Sequence, residues 1–174
     1  MWVFGYGSLL WNPGFASEQS ALAILNGYHR SFCMRSIHHR GTPEAPGLVL
    51  ALDERPGSAC NGLALLVPTA TRQQTLSYLR ERELVSSAYV EKTLSITLAD
   101  GRIVPALTYV VDPEHVQYCG SLTREEQAEI ISWAVGGRGD NSEYLHNTAR
   151  HLAEMGISDP NLSWLSARVR ALTR

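Results

Sequence analysis

The sequence predicts an α+β fold, with a small, strongly curved or barrel-like sheet and helices around it. Strand patterns fill most of the first two thirds of the chain, one helical pattern interrupts them, and the last third is helical. Several short strands together with one long alternating pair favour a curved sheet over a flat one. At 174 residues the chain is most simply one domain, residues 1–174.

Six runs of apolar and β-branched residues predict strands. They are Trp2–Gly5, Ala21–Met34, Gly47–Leu52, Asn61–Val67, Val90–Leu98 and Arg102–Val111. Asp100-Gly101, between the last two, is a strong hairpin signal. Pro105 has no amide hydrogen to give to a neighbouring strand, so we expect an edge position or a bulge there. The polar, proline-containing stretch from Ser36 to Pro46 is the longest predicted loop.

Four segments have helical patterns with recognisable ends. They run from about Thr71 to Val85, from Thr123 to about Val135, from Asp140 or Asn141 to a stop at Gly156, and from Asp159-Pro160 onward. Thr71 with Gln74, and Thr123 with Glu126, have the spacing of a capping box. Glycine after a helix and proline in its first turn are typical end signals.

Composition excludes several classes of function. The net charge is −2 without a run of like charges, which argues against nucleic acid or membrane partners. No Lys or Arg precedes Arg30 and no segment is apolar over about 18 residues, so we expect neither a signal peptide nor a membrane span. Three widely spaced cysteines predict no disulfide or zinc site and favour a cytoplasmic location. No histidines have H-x-x-x-H spacing, so no metal is predicted.

Gly5-Tyr6-Gly7-Ser8, at the end of the first predicted strand, resembles three known motifs but completes none of them. The third glycine of G-x-G-x-x-G would fall at Leu10, no Gly-Lys-Ser/Thr follows, and the trailing glycine of G-x-S-x-G is missing. Glycine permits positive φ and a close approach to the backbone, and consecutive amides can bind an anion or oxyanion. We therefore predict a ligand-facing turn; a tight turn without a ligand is the alternative.

The two glutamates of the first predicted helix differ in their position on its surface. At about 100° per residue, Glu83 falls about 20° from Leu76, on the apolar stripe, whereas Glu81 faces away from it. Arg82 is also predicted to lie away from the stripe. A buried carboxyl has a raised pKa, which suits a general acid or base. The alternative is a structural pair between Glu83 and an arginine.

A tyrosine near the start of the third predicted helix has two interpretations. Tyr144 follows two polar cap residues in the stretch GRGDNSEYL. It is either a core aromatic with a solvated hydroxyl or a residue that presents its hydroxyl to a pocket.

Four stretches in this order resemble the ChaC branch of the γ-glutamylcyclotransferases. They are WVFGYGSLLWNPGF, GYHRSF followed by HRGTP, YLREREL, and GRGDNSEYL. The resemblance covers residues 1 to about 150. It implies a compact mixed, barrel-like sheet with peripheral helices. It also implies cleavage of glutathione to 5-oxoproline and cysteinylglycine, by attack of the γ-glutamyl amine on its own γ-carbonyl, without a cofactor.

The resemblance implies a catalytic role for Glu83 and places the γ-glutamyl-binding loop at Tyr6–Leu9. Tyr89 and Tyr144 match aromatic positions of the pocket, and we predict Arg35 as a ligand of a substrate carboxylate. The full predicted substrate-binding set is Gly5, Tyr6, Gly7, Ser8, Leu9, Leu10, Arg35, Tyr89 and Tyr144.

Two other functions stay open at the level of the sequence. The same chemistry on other γ-glutamyl amines or amino acids requires only a different pocket beyond the γ-glutamyl group. A non-catalytic binding or regulatory module linked to cation transport is an alternative of another class. The sequence predicts a small-molecule partner and leaves the oligomeric state open.

Overall fold

The computed structural model of the protein describes residues 1–173, which fold as two compact units. The first unit comprises Met1–Arg30 and Leu52–Val116, and the second comprises Ser31–Ala51 and the chain from Gln117 onward. Two long strands run through both units. The assignment of residues 1–174 to one domain stays a prediction.

Five strands form a closed barrel in the order β1-β3-β2-β4-β5. They are β1 (Trp2–Gly5), β2 (Gln19–Ser36), β3 (Gly47–Leu66), β4 (Tyr89–Leu98) and β5 (Ile103–Val111). β1 pairs antiparallel with β3 and parallel with β5, where Trp2 lies opposite Ala106. The sheet is therefore mixed and closed, and the predicted α+β fold with a barrel-like sheet is confirmed.

Two strand predictions are wrong in detail. The runs Gly47–Leu52 and Asn61–Val67 are not separate strands, because β3 runs without a break from Gly47 to Leu66. Pro105 is not on an edge strand, since β5 pairs on both sides. It lies opposite Ser95 of β4, and pairing with β1 begins only at the next residue, Ala106.

The helix between β3 and β4, α1 (Arg72–Glu83), is shorter than predicted. Thr71 is its N-cap, but the Thr71 side chain makes no capping bond, so the predicted capping box with Gln74 is wrong. Instead, a short 3₁₀ turn leads into the helix, and the Thr71 amide donates to the carbonyl of Pro68. The helix ends at Glu83, and the Leu84 amide still donates to the carbonyl of Arg80.

The first unit has two apolar clusters, which β1 separates because successive strand residues point to opposite faces. Phe4 belongs to the first cluster, with Leu25, Ile96 and Val110. Val3 belongs to the second, with Leu79 of α1. The second cluster further contains Leu9, Val67, Leu107 and Tyr109, with the half-buried Met1, Phe15, Leu76, Tyr78 and Tyr89 around it. The first helix therefore packs on the outer side of β1 and β5.

The second unit contains three helices and a two-stranded sheet. They are α2 (Arg124–Trp133), β6 (Val135–Gly136), β7 (Gly139–Asp140), α3 (Asn141–Glu154) and α4 (Pro160–Leu172), and the helices pack on one another. The capping box of Thr123 and Glu126 is confirmed, as is the Asp159 cap before Pro160. Over residues 1–173, every helix is too short or too polar to cross a bilayer.

Candidate active site

The turn after β1 folds tightly, with its backbone open on one side. Ser8–Leu10 form a 3₁₀ turn, in which the Leu10 amide donates to the carbonyl of Gly7 at 2.9 Å. Gly7 has φ −135°, so the expectation that a glycine of this turn supplies positive φ is wrong at this position. A Cβ at Gly7 would meet no atom within 4 Å. The glycine therefore leaves open space beside the backbone, which a ligand can use.

A buried arginine anchors the start of this turn. Arg30 of β2 donates from Nε to the carbonyl of Tyr6 at 2.6 Å, and from Nη2 to the carbonyl of Asn61 at 2.5 Å. Sequence reasoning missed Arg30, although a signal was present. Arg30 shares the period-two face of Tyr28 and Phe32, and all three are buried. Its guanidinium fixes the carbonyl from which the turn departs.

Glu83 and Glu81 differ as the helical wheel predicts. Glu81 is exposed, whereas the Glu83 side chain is only 19% exposed at the end of α1. Burial raises the pKa of the Glu83 carboxyl above its ordinary value, and the positive charge of Arg82 partly opposes this rise. A raised pKa makes the carboxylate a stronger base, which suits general acid–base catalysis.

Arg82 lies at the site, contrary to the helical wheel. Its Nε is 3.2 Å from Oε1 of Glu83, and its Nη2 donates to the Ser8 hydroxyl at 2.8 Å. Its Nη1 donates to the carbonyls of Asn12 and Pro13 and to the Tyr78 hydroxyl. The wheel fails here because a long flexible side chain can turn away from the direction of its Cβ. One guanidinium thus joins two predicted site residues, Ser8 and Glu83, and also forms the glutamate–arginine pair expected under the structural alternative.

A second polar network lies beside the apolar cluster of α1. The buried Tyr109 of β5 donates its hydroxyl to Oε2 of Glu91 at 3.0 Å, and Arg80 binds both oxygens of Glu91. Burial raises the pKa of Tyr109 strongly, with further contributions from Glu91 and from the negative charge of Glu83. Tyr109 therefore faces Glu83 as a neutral phenol. Sequence reasoning did not single it out, because a tyrosine in a strand is ordinary core.

Tyr89, which the sequence predicts in the pocket, lies close to α1 and to the turn after β1. Tyr89 is the first residue of β4, is half-buried and packs against the cluster that contains Leu9 and Leu79. The structure thus assembles part of the predicted site, namely the turn at residues 5–10, Glu83 and Tyr89, within the first unit.

Arg35 and Tyr144 belong to the second unit, and their roles stay predictions. The backbone of Arg35 bonds to Gln117 through both its amide and its carbonyl. The Tyr144 ring meets Phe32 edge-on, with centroids 5.9 Å apart, and Arg40 lies 5.4 Å from its centroid. The half-buried Tyr144 ring thus packs against residues of its own unit.

Metal ligands are not clustered in the part of the chain that the structure describes. Within residues 1–173, no group of three or more His, Cys, Asp or Glu side chains is placed to hold an ion.

A closed five-stranded barrel with a buried carboxyl, joined through one arginine to a strand-end turn, defines a class of protein equipped for acid–base chemistry on a small ligand. Comparison with known families agrees with this class. The model of the family described as ChaC-like protein matches residues 1–172, and the chain belongs to this family.

Similar proteins cover nearly the whole chain. The chain is 37% identical over 172 residues to the glutathione-specific gamma-glutamylcyclotransferase of Escherichia coli (strain K12), covering 99% of this chain and 74% of that protein. It is 33% identical over 178 residues to glutathione-specific gamma-glutamylcyclotransferase 1 of Danio rerio, covering 100% and 91%. A crystal structure of a yeast gamma-glutamyl cyclotransferase specific to glutathione has a TM-score of 0.88 at 24% identity, covering 100% and 96%, and shares the fold.

Proposed function

We propose that this protein is a glutathione-specific γ-glutamylcyclotransferase with Glu83 as its general base and acid. The proposal rests on the Glu83 carboxyl, which is buried, has a raised pKa and is linked through Arg82 to the turn after β1. Family membership and the names of the E. coli and Danio rerio relatives support the choice of reaction and substrate. Because one family model matches residues 1–172, both units are proposed to act as one domain.

The reaction is an intramolecular transamidation. The α-amine of the γ-glutamyl group attacks its own γ-carbonyl carbon, a five-membered ring closes, and the amide bond to cysteine breaks. Glutathione thereby becomes 5-oxoproline and cysteinylglycine, and no water or cofactor enters the balance. Holding amine and carbonyl in contact can supply up to about 7–11 kcal/mol of the barrier.

Glu83 carries the proton between the two nitrogens. As a carboxylate it accepts a proton from the substrate ammonium, which is not nucleophilic in its charged form, and it then donates a proton to the departing cysteine nitrogen. The Arg82 pair does not prevent this role, because burial outweighs the arginine charge and keeps the pKa of Glu83 raised. A carboxylate that is only partly stabilised as an anion is a stronger base than one with a full set of hydrogen bonds.

The turn at Tyr6–Leu9 binds the γ-glutamyl end of the substrate. The open face beside Gly7 lets a carboxylate or an oxyanion reach the backbone amides. Gly5 and Leu10 bound this turn, and Tyr89 packs on the same cluster as Leu9. Arg35 and Tyr144 are further proposed substrate-binding residues, carried over from the resemblance and from the sequence.

The reaction is proposed to take place in the cytoplasm. Cys33, Cys60 and Cys119 lie far apart in the sequence and form no C-x-x-C pair, which fits a reducing compartment.

The substitution Glu83→Gln tests the function. The amide keeps the size of the side chain but cannot accept the proton, so 5-oxoproline release from glutathione falls by about 10²–10⁴-fold. The matched control is Glu81→Gln, two residues away on the exposed side of the same helix, which retains full activity. Release is measured by chromatography, with other γ-glutamyl amino acids assayed in parallel. A Glu83→Gln enzyme as active as Glu81→Gln would rule out the assignment.

The pH dependence provides a second test. The free enzyme needs the Glu83 carboxylate, so kcat/KM falls as the pH drops through the raised pKa of Glu83, above the ordinary value of 4.5. An acid limb at or below that value would contradict the proposed base.

A further inference from the structure

Each of the three guanidinium nitrogens of Arg82 contacts another residue. Nε faces Glu83, Nη2 bonds to Ser8, and Nη1 bonds to the segment Asn12–Pro13 and to Tyr78. The side chain is only 21% exposed. The end of α1 is therefore tied, through one residue, to the chain that follows β1.

We propose that Arg82 is a positioning residue, which holds the Glu83 carboxyl in one orientation relative to the turn after β1. The inference rests on the proposed function of Glu83 and adds a residue to which neither a helical wheel nor the family comparison assigns a role. Arg82 does not take part in proton transfer; it acts through Glu83 and Ser8.

Helix geometry alone does not produce this contact. Adjacent residues of a helix project about 100° apart and do not face each other. The Arg82–Glu83 pair exists because carbonyls of Asn12 and Pro13 and the Ser8 hydroxyl hold the far end of the guanidinium. Only a planar fork with several donors can bond on both sides at once, whereas a lysine has one nitrogen.

Glu83 is the last residue of α1, where a helix is least constrained. The next residues, Leu84 and Val85, are exposed. Without the arginine, the Glu83 side chain would have several rotamers available, and a displacement of about 1 Å can cost about 10²-fold in rate.

Two groups, one on α1 and one on β5, interact electrostatically with Glu83. On α1 the positive charge is that of Arg82, which acts against the effect of burial on the pKa of Glu83. On β5 the group is the neutral phenol of Tyr109, which donates to Glu91 of β4. Arg80 binds both oxygens of Glu91, so its charge is engaged there. Loss of the Arg82 charge therefore shifts the pKa of Glu83 upward.

Three variants of the full-length chain test the proposal: Arg82→Gln, Arg82→Lys and the control Arg72→Gln on the exposed first turn of α1. We expect Arg82→Gln to lower kcat by about 10–100-fold with a smaller change in KM, and to move the acid limb of kcat/KM to higher pH. Arg82→Lys keeps the charge, so its acid limb stays near that of the wild type while kcat remains reduced. Arg72→Gln leaves both unchanged. Equal kcat and equal acid limbs in Arg82→Gln and Arg72→Gln would overturn the inference.

If Arg82→Gln does not fold, a double-mutant cycle of Ser8→Ala and Arg82→Lys takes its place. Both changes break the same link, so the double variant should lose little more activity than Arg82→Lys alone. Fully additive losses would overturn the proposal.

A titration that needs no activity separates this inference from the proposed function. In ¹³C NMR of glutamate-labelled protein, the Glu83 signal is assigned by its loss in Glu83→Gln. Its midpoint is expected to rise above that of the wild type in Arg82→Gln, or to stay near that of the wild type in Arg82→Lys if the glutamine variant does not fold. A wild-type enzyme without 5-oxoproline release but with this shift would end the proposed function alone. An unchanged midpoint in Arg82→Gln would end the inference.

Discussion

Two arginine–glutamate pairs begin two residues apart on α1 and have opposite effects on the carboxyl. Arg80 binds Glu91 with two bonds of 2.9 Å each, and Tyr109 adds a third at 3.0 Å. Arg82 approaches Glu83 with one contact of 3.2 Å and divides its other nitrogens among neutral oxygens. The pKa of Glu91 is lowered, chiefly by the Arg80 hydrogen bonds, whereas burial keeps the pKa of Glu83 raised.

Burial and hydrogen bonding together explain this difference in the direction of the two pKa shifts. The side chains of Glu91 and Glu83 are 22% and 19% exposed, which is nearly the same. Burial is the largest influence on the pKa of Glu83, whereas at Glu91 the hydrogen bonds to the anionic form outweigh burial, because each such bond favours the charged carboxylate. A salt bridge by itself therefore does not fix the direction of a carboxyl's pKa shift; the balance between burial and donated hydrogen bonds does.

The largest expected effect is a difference in activity between variants of the two carboxyls, Glu83 and Glu91. Glu83→Gln lowers 5-oxoproline release by about 10²–10⁴-fold, whereas Glu91→Gln stays within about tenfold of the wild type, since Glu91 already has its donors and does not exchange protons in the reaction. Steady-state rates with glutathione at neutral pH measure both. If Glu91→Gln proved as damaging as Glu83→Gln, the two pairs would belong to one catalytic unit and the contrast would be broken.

A smaller effect is expected from a substitution that displaces Tyr78, one of the residues that hold the Arg82 side chain. Gly14 has φ +76°, and a Cβ there would lie 1.9 Å from the hydroxyl of Tyr78, which accepts a bond from Arg82. Gly14→Ala should cost about 1–3 kcal/mol of stability, and it should also lower kcat because Tyr78 must move. Urea unfolding and steady-state rates measure the two effects.

Gly57→Ala is the matched control for that variant. Gly57 has φ +82°, and a Cβ there would meet no atom within 4 Å, so the alanine carries the same backbone penalty without the contact. We expect lower stability with unchanged kcat. Equal kcat in the two alanine variants would show that Tyr78 contributes nothing to the placement of Arg82.

The smallest effect concerns stability as a function of pH. The pKa of Glu91 is lowered below 4.5, so its carboxylate stabilises the fold above that pH, and the contribution disappears as the pH falls through the folded pKa. Glu91→Gln should cost about 0.5–1 kcal/mol at pH 7 and nothing in strong acid. Urea unfolding across this pH range measures the difference.

Glu83 should behave in the opposite sense. Its pKa is raised, so its charged form weakens the fold at neutral pH, and Glu83→Gln should leave stability unchanged or raise it at pH 7. A stability loss in Glu83→Gln equal to that in Glu91→Gln would show that both carboxyls are structural.

Local signals were sufficient for most element ends. The Thr123 capping box, the Asp159-Pro160 start and the turn at Asp100-Gly101 all act within a few residues, and the structure confirms each. The union of two predicted strands into β3 depends instead on pairing with residues far along the chain. The position of Pro105 likewise depends on where β1 begins to pair.

The candidate site, too, has features that local sequence signals predict and features that depend on long-range contacts. The period of an α-helix suffices to separate Glu83 from Glu81, because burial of one helical face is a property of spacing. The partners of Glu83 could not be predicted in this way. Arg82 reaches Ser8 across 74 positions, and Arg30 reaches the carbonyl of Tyr6 across 24.

The amino-acid pattern thus determined the fold class, the helix that carries the carboxyl and which carboxyl is buried, since these follow from local propensity and periodicity. The charge state of that carboxyl and the arginine that orients it were decided by tertiary packing. A pKa depends on the water removed and on the donors supplied by segments distant in sequence, and only the folded chain brings those together.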